Sequence, residues 1–599
     1  MAKEYINLRN LYFTLFDVHQ ADSLKEYDYY SEYNKESIDL MIQSAKQIAD
    51  THLFPSLVDM DRFGTKYEDG KVYVHPKIKD YIKELGAGGW IGAMYSYEDG
   101  GMQLPQMVQS VAEFIYEAAN NSAAGYYLLT GGASRLIANF GSQEQKDQYV
   151  TKMTSGEWQG TMALTEPQAG SSLSDITTSA TPQSDGSYKI KGQKIYISAG
   201  DHDAADNFIH LMLARIDGAP KGTKGISLFI VPKFREENEE HVFNDVTTAG
   251  LFHKMGQHGY ATTHLIMGEK DDCVGFLVGE ANKGLPYMFQ MMNEARIGVG
   301  ISGAAIASAA YYASLEYAKE RPQGRPAGSR NINDPQTLII NHADVRRMLF
   351  FQKAVVEGSL SLVLECCKYA DLEKVTEGDE KHNYNLILDL LTPIVKVYPT
   401  EAGIQSVNQG MQVLGGAGYC SDFPLEQLAR DIRITAIYEG TTGIQSQDLL
   451  GRKVMLENGK AVELFYKEVK EEIEKGLSVD SVKPSAERLQ TELDNLIKIT
   501  RSLGKIAMDG RIEEYLADAN LYLEMFSLIT VGWQWIKMAR IASEKLPSAS
   551  NDEEKAFLTS KIKTMEFFFA YEIPKTKYLS ERLNSEGKMT IKEEKEYLI

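Results

Sequence analysis

Cysteine is scarce in this chain: four among 599 residues, at Cys273, Cys366, Cys367 and Cys420. Their spacing fits neither a zinc site nor a secreted disulfide framework, so a reducing compartment is expected. Positive charge is also short. Lys and Arg number 63 against 83 Asp and Glu, a net charge of −20, which excludes a general nucleic-acid binder that works by neutralising phosphates and leaves open only a local basic patch. The opening M-A-K-E-Y-I-N-L-R-N lacks a basic-then-apolar leader, and the closing E-Y-L-I is no peroxisomal address, so a cytoplasmic location is expected. Long apolar runs are few. The longest uncharged run, Ile297 to Leu315, is dominated by Gly, Ala and Ser and closed by Arg296 and Glu316, which predicts a buried helix in close helix contact and not a membrane span. Internal repeats and low-complexity tracts are absent.

What is present suggests about four domains, at about 150 residues each. Apolar residues recur at helical spacing from 37 to about 157, broken by the turn-rich E-D-G-G-M-Q-L-P. From about Thr161 the pattern changes to short β-type runs, 187–197, 208–216 and 225–231, separated by Gly, Pro and Asp turns. Helical periodicity returns beyond Leu285 and continues, with mixed charge, through the end. The expected domains are 1–159 (helical), 160–284 (β), 285–459 (a helical bundle) and 460–599 (a helical extension), with 476–484 as the best linker.

One short segment carries chemistry on its face. D-I-R-I-T-A-I-Y-E-G-T-T-G-I-Q, from Asp431 to Gln445, sets Glu439 between an apolar run and Gly440. Low polarity raises a carboxylate's basicity, and the glycine leaves room for a substrate, so Glu439 is a candidate general base. A helix cap or ion-pair partner is the plainer reading. Three further segments bear on it: G-T-M-A-L-T-E-P-Q-A-G-S (160–171), K-I-Y-I-S-A-G (194–200) and Q-V-L-G-G-A-G-Y (412–419).

In this order and at these separations, the four segments resemble those of the acyl-CoA dehydrogenases, flavoproteins, over residues from about 40 to about 455. The opening N-L-R-N-L-Y-F-T-L-F-D-V and the tail beyond Leu456 resemble the long bacterial branch, which includes 3-methylmercaptopropionyl-CoA dehydrogenases and carries an extra C-terminal helical domain. The resemblance implies a mainly α fold: an N-terminal helical domain, a central barrel-like β domain, a four-helix bundle and the appended extension. It also implies FAD, held between the β domain and the bundle.

Residue by residue, the resemblance implies that Met162, Leu164 and Thr165 face the flavin ring, and that Gly170 and Ser171 admit pyrophosphate or CoA. Tyr196 and Ser198 stand where the family has tryptophan and threonine over the flavin; alternatively they form one face of a strand. Arg321, Gln323, Gln412, Gly415 and Gly416 match positions holding the ADP half of FAD across a subunit interface, and Thr441 fits a flavin contact. Gly443 departs from the family's usual glutamine, which leaves Gln445 as a possible substitute. Arg296 matches an arginine near the catalytic pocket and Gly440 adjoins the substrate. Some relatives place their base near Glu294, but the equivalent position here is Ala295. His241, His253, His258 and His264 match no metal-ligand spacing.

The implied reaction is α,β-dehydrogenation of an acyl-CoA to the trans-2-enoyl-CoA, with Glu439 as base, flavin N5 as hydride acceptor and an electron-transferring flavoprotein as the next carrier. An acyl-CoA oxidase, or a nucleic-acid-binding relative using the extension, are the alternatives. Acyl length is not readable: Tyr126, Tyr127 and Leu128 suit a pocket floor or plain core packing. The extension's apolar segments, 521–536 and 565–571, need a partner, and burial on the same chain's bundle predicts a homodimer.

Overall fold

The computed structural model describes residues 3–237, 240–329, 331 and 333–591. Contacts divide the chain into two units, Glu36–Ala295 and a second made of Arg296–Ile599 together with Met1–Lys35.

The first unit opens with helices α1 (Lys35–Ile48), α2 (Lys77–Ala87) and α3 (Gln106–Phe140). Ile38, Ile42 and Ala45 recur along one face of α1 and are buried, the stripe that helical spacing predicts. A small ribbon, Lys66–Glu68 with Lys71–Tyr73, interrupts the helices; it turns at Asp69–Gly70, a pair suited to the left-handed backbone it adopts. α3 breaks at Asn120, where φ −162° and ψ 92° leave the helical region and the side-chain amide bonds the Leu53 carbonyl and the Ser56 hydroxyl. Tyr126 and Tyr127 are fully buried. Tyr126 donates to the Gly259 carbonyl at 2.9 Å and accepts from the Ala261 N–H at 3.0 Å, so it is a core pin between α3 and the β domain.

Among the described residues one eight-stranded sheet follows, beside a separate two-stranded ribbon (Phe234–Glu237 with Glu240–Phe243): β1 (Trp158–Ala163), β2 (Ser179–Pro182), β3 (Tyr188–Ser198), β4 (Asn207–Ile216), β5 (Ile226–Pro232), β6 (Val246–Leu251), β7 (Thr262–Met267) and β8 (Val274–Leu277). Their order is β6-β7-β3-β8-β5-β4-β1, and β2 pairs with both β3 and β4. That double pairing closes β3-β8-β5-β4-β2 into a small barrel. On β4, Ile209, Leu211 and Leu213 pack with Leu136 and Ile137 of α3, whereas Met212 and Ala214 pack with Phe229 and Val231. The period of two buries both faces. β3, β4 and β5 are the three strands expected; the other five run only four to six residues, too short for a periodic signal.

The second unit holds α4 (Gly284–Glu320, from Arg296 onward), α5 (Ala343–Val375), α6 (Gly378–Leu414), α7 (Leu425–Ile432) and α8 (Thr442–Gly451), then the extension α9 (Lys460–Leu477), α10 (Lys483–Met508), α11 (Ala519–Lys545), α12 (Asp552–Tyr571) and α13 (Lys575–Asn584). α4 is long and apolar enough to cross a membrane by composition, but the protein itself buries 89 % of its most apolar window. α5 is buried along most of its length, from Met348 to Asp371, because helices cover it on several sides. Trp535 of α11 donates its indole N–H to the Ala354 carbonyl at 3.2 Å, Lys537 pairs with Glu365 at 2.6 Å and Lys561 of α12 pairs with Glu357 at 2.9 Å.

Two expectations are corrected here. Residues up to Lys35 do not belong with the first helical domain: Leu11, Phe13 and Leu15 are buried, and His19 and Tyr30 reach Ser361 and Asp371 of α5. The segment 476–484 is no linker. Gly476 and Val482 are buried in a tight turn between α9 and α10; its Gly, Ser, Asp and Pro mark that turn and not a domain junction.

Candidate active site

The expected residues fall into two sets, one in each unit. In the first, β1 carries Met162 to the loop that holds Leu164, Thr165, Gly170 and Ser171. Glu166 organises this loop. Its carboxylate accepts from both the N–H and the hydroxyl of Thr177 and of Thr178 and pairs with the fully buried Lys194 at 2.8 Å. Lys194 also donates to the Leu164 carbonyl at 3.0 Å, and the Ile195 N–H donates to that of Thr165 at 2.9 Å. The carbonyls of both residues are therefore occupied, leaving their N–H groups and the Thr165 hydroxyl to a ligand. Burial works against the Glu166 charge, but Lys194 and the threonines hold its pKa down to about 2; Lys194, where burial outweighs its partner, falls to about 8.

Tyr196 is no ordinary strand residue. Its φ is +59°, the left-handed region that bulky side chains avoid, and it sits opposite a register shift between Thr263 and Leu265 of β7. The ring is 58 % exposed and rests on Phe252, 4.4 Å between centroids. Strain of about 1–3 kcal/mol persists where the surroundings enforce it, and here it turns an aromatic face outward. Ser198, two residues on, is half-buried.

In the second unit the chain leaves α7 through a short turn at Arg433–Ala436 and reaches Glu439 at φ +52°. Thr441, not Glu439, caps α8, accepting from the Ile444 N–H at 3.3 Å, and among the described residues no hydrogen bond or ion pair occupies the Glu439 carboxylate. The cap and ion-pair readings therefore fail. Gln445 is buried and donates to the Glu439 carbonyl at 3.1 Å; it holds the turn instead of standing in for a side chain at Gly443. Burial pushes the Glu439 carboxyl above its ordinary range, while Arg296 and then Lys396 pull it down. Glu439 is nevertheless exposed to solvent, so water screens this shift until a bound molecule covers the carboxylate.

Arg296 is buried and donates from Nη1 to Asp448 at 3.0 Å, with Nε unpartnered. Glu294, the alternative base, is ion-paired with Arg135. Gln412 lies in the last turn of α6, followed by Gly415 at φ +60° and Gly416, all exposed; Arg321 and Gln323 are exposed beyond the end of α4. His258 pairs with Asp61, and His264 contacts Gln193. Three residues went unpredicted: Glu166, Lys194 and Lys396. A lysine inside L-L-T-P-I-V-K-V-Y-P was the available signal for the last.

Residues 35–157, 161–269 and 282–454 match the N-terminal, middle and C-terminal domains of acyl-CoA dehydrogenases, and 465–592 match an acetyl-CoA dehydrogenase C-terminal-like domain. The chain is 35 % identical to 3-methylmercaptopropionyl-CoA dehydrogenase of Ruegeria pomeroyi, across 94 % of each. It belongs to the acyl-CoA dehydrogenase family. Butyryl-CoA dehydrogenase of Syntrophomonas wolfei is 32 % identical over 96 % of this chain and 93 % of its own. The crystal structure of a Bacillus anthracis acyl-CoA dehydrogenase complexed with FAD shares the fold, with TM-score 0.72 at 20 % identity, covering 93 % of this chain and 90 % of that one.

As a member of this family the protein is an oxidoreductase acting on acyl-CoA, and its cofactor is FAD. The residues present fit a flavin. Tyr196 offers an outward ring, and Gly170, Gly415 and Gly416 have no heavy atom within 4 Å of where a Cβ would stand, which leaves room for phosphate to approach the backbone closely, although the Gly415 N–H itself donates to the Gln412 carbonyl.

Proposed function

We propose that the protein catalyses α,β-dehydrogenation of an acyl-CoA thioester with Glu439 as the general base. The observation that carries this reading is a carboxylate that is open to solvent, has no hydrogen-bond or ion-pair partner among the described residues, and is held at a left-handed backbone position beside Gly440. FAD, when bound, supplies the hydride acceptor. The protein's part is the proton: the Cα–H bond breaks, an O–H bond forms on Glu439, and the electron pair moves toward the thioester carbonyl, which the Glu439 N–H supports. Gly440 leaves the approach open. Arg296, fixed by Asp448, keeps positive charge near the base without forming an ion pair with it. Met162, Leu164, Thr165, Ser171, Tyr196 and Ser198 would bind one part of the cofactor and Thr441 would contact the flavin; Arg321, Gln323, Gln412, Gly415 and Gly416 would bind the ADP half of a homodimer partner's FAD. Electrons then pass to an electron-transferring flavoprotein.

Glu439→Gln is expected to keep FAD and acyl-CoA binding while slowing anaerobic flavin bleaching by at least about two orders of magnitude, measured across acyl-CoAs of graded length. Glu294→Gln should bleach at nearly the wild-type rate. Near-normal bleaching in Glu439→Gln would remove the base from this position.

A further inference from the structure

Lys396 is fully buried on α6, and its Nζ has no hydrogen-bond partner among the described residues. An unpartnered buried ammonium is costly, and the helix around it is irregular. Pro393 and Pro399 flank it within the helix; Pro399 has no N–H for the Val395 carbonyl, and α4 packs so closely there that a Cβ on Gly300 would lie 2.1 Å from that oxygen. The charges acting on Lys396 are Glu401 on its own helix, Glu439 from the turn before α8 and Arg296 from α4. Glu401 acts most strongly, and two of the three have bonds of their own, one of which brings the turn that carries Glu439 against α6. Glu401 accepts from the Thr442 hydroxyl, and Arg296 is tied to Asp448, which also accepts from Arg452 at 2.7 Å; Glu524 of α11 stands near Glu401. Of the three, Glu439 is the one whose charged group has no hydrogen bond or ion pair among the described residues.

We propose that Lys396 is a positioning residue for proton abstraction: its buried positive charge, unbalanced by any bond, keeps Glu439 ionised and ready to accept the substrate proton. The inference rests on Glu439 being the base. Burial lowers Lys396 to about 8, against the pull of Glu401 and Glu439, so it stays largely charged at neutral pH. Removing that charge takes away one of the two cations, with Arg296, that hold the Glu439 carboxyl down once substrate has displaced water from it.

The test is the pH profile of anaerobic flavin bleaching by a saturating acyl-CoA, for the FAD-loaded full-length protein. In Lys396→Met and Lys396→Gln the acid limb, where rate rises as Glu439 ionises, should move up by about one pH unit; in Lys396→Arg it should stay near the wild-type position. A merely structural lysine would lower the rate at every pH and leave the limb in place. An unmoved limb in either flavin-loaded neutral variant overturns the proposal, as does failure of both to fold with FAD while Lys396→Arg folds, because the charge would then serve stability. Bleaching by Glu439→Gln separates the two readings: near-normal rates sink the base assignment itself, whereas a dead Glu439→Gln with an unmoved limb sinks only Lys396.

Discussion

At the scale of single residues, the site depends on a backbone conformation as much as on a carboxylate. Gly440 has φ +95°, and a Cβ there would lie 2.4 Å from Gln445 Nε2, the atom that holds the Glu439 carbonyl. Gln445 is buried and cannot swing aside without giving up that bond. Gly440→Ala should therefore cut the bleaching rate at least about tenfold while leaving FAD bound, because a misplaced base costs rate before it costs binding; a rate within twofold of wild type would show that the turn tolerates a side chain. Glu439 and Gly440 were legible in the sequence because base and glycine are adjacent. Lys396 was not, since its burial comes from the helices packed around α6, which lie far from it in sequence. The left-handed backbone at Tyr196 was equally hidden: its sequence neighbourhood reads as a plain strand, and the register shift that bends it comes from β7.

At the scale of elements, the loop after β1 hangs on the Glu166–Lys194 pair. Glu166 has a folded pKa of about 2, below the ordinary 4.5 of a glutamate. A carboxylate depressed in the fold contributes stability above its unfolded pKa and loses it as pH falls, here between about 4.5 and 2. Glu166→Gln leaves a buried lysine without its counter-charge and should cost about 3–5 kcal/mol at neutral pH. Denaturant melts should show that difference at pH 7 closing below about pH 4.5; a gap that stays constant with pH would mean that packing, not charge, is lost. Helices of this size were legible from their apolar stripes, as in α1. The short strands were not, because four residues carry no period, and the barrel closes through β2, whose pairing with two neighbours no local pattern encodes.

At the scale of the whole molecule, the extension and the opening residues share one seat on α5. Lys561 of α12 meets Glu357 of α5 and Asn10 of the N-terminal segment, while Lys545 at the end of α11 pairs with Asp17. Trp535 is fully buried there, so Trp535→Ala should destabilise the protein by about 3–5 kcal/mol, read from chemical denaturation, with a change under 1 kcal/mol counting against the extension as core. A chain cut near Gly476 is expected to aggregate or lose FAD, and light scattering of the intact protein should give a dimer; a tetramer would show that the extension does not replace a second pair of subunits. That an extension exists was legible from length and helical periodicity. That the first residues complete it was not, because their apolar run looks like the start of the domain that follows.

This shared seat also sets an order of events during synthesis. Leu11, Phe13 and Leu15 leave the ribosome well before part of the surface that receives them, around Phe557 and Lys561, which is made more than five hundred residues later. Contacts so distant along the chain form slowly, and until they form, an apolar segment waits in water beside a half-built helix layer. The nascent protein is thus most vulnerable to self-association late in translation, when most of its chain is already made.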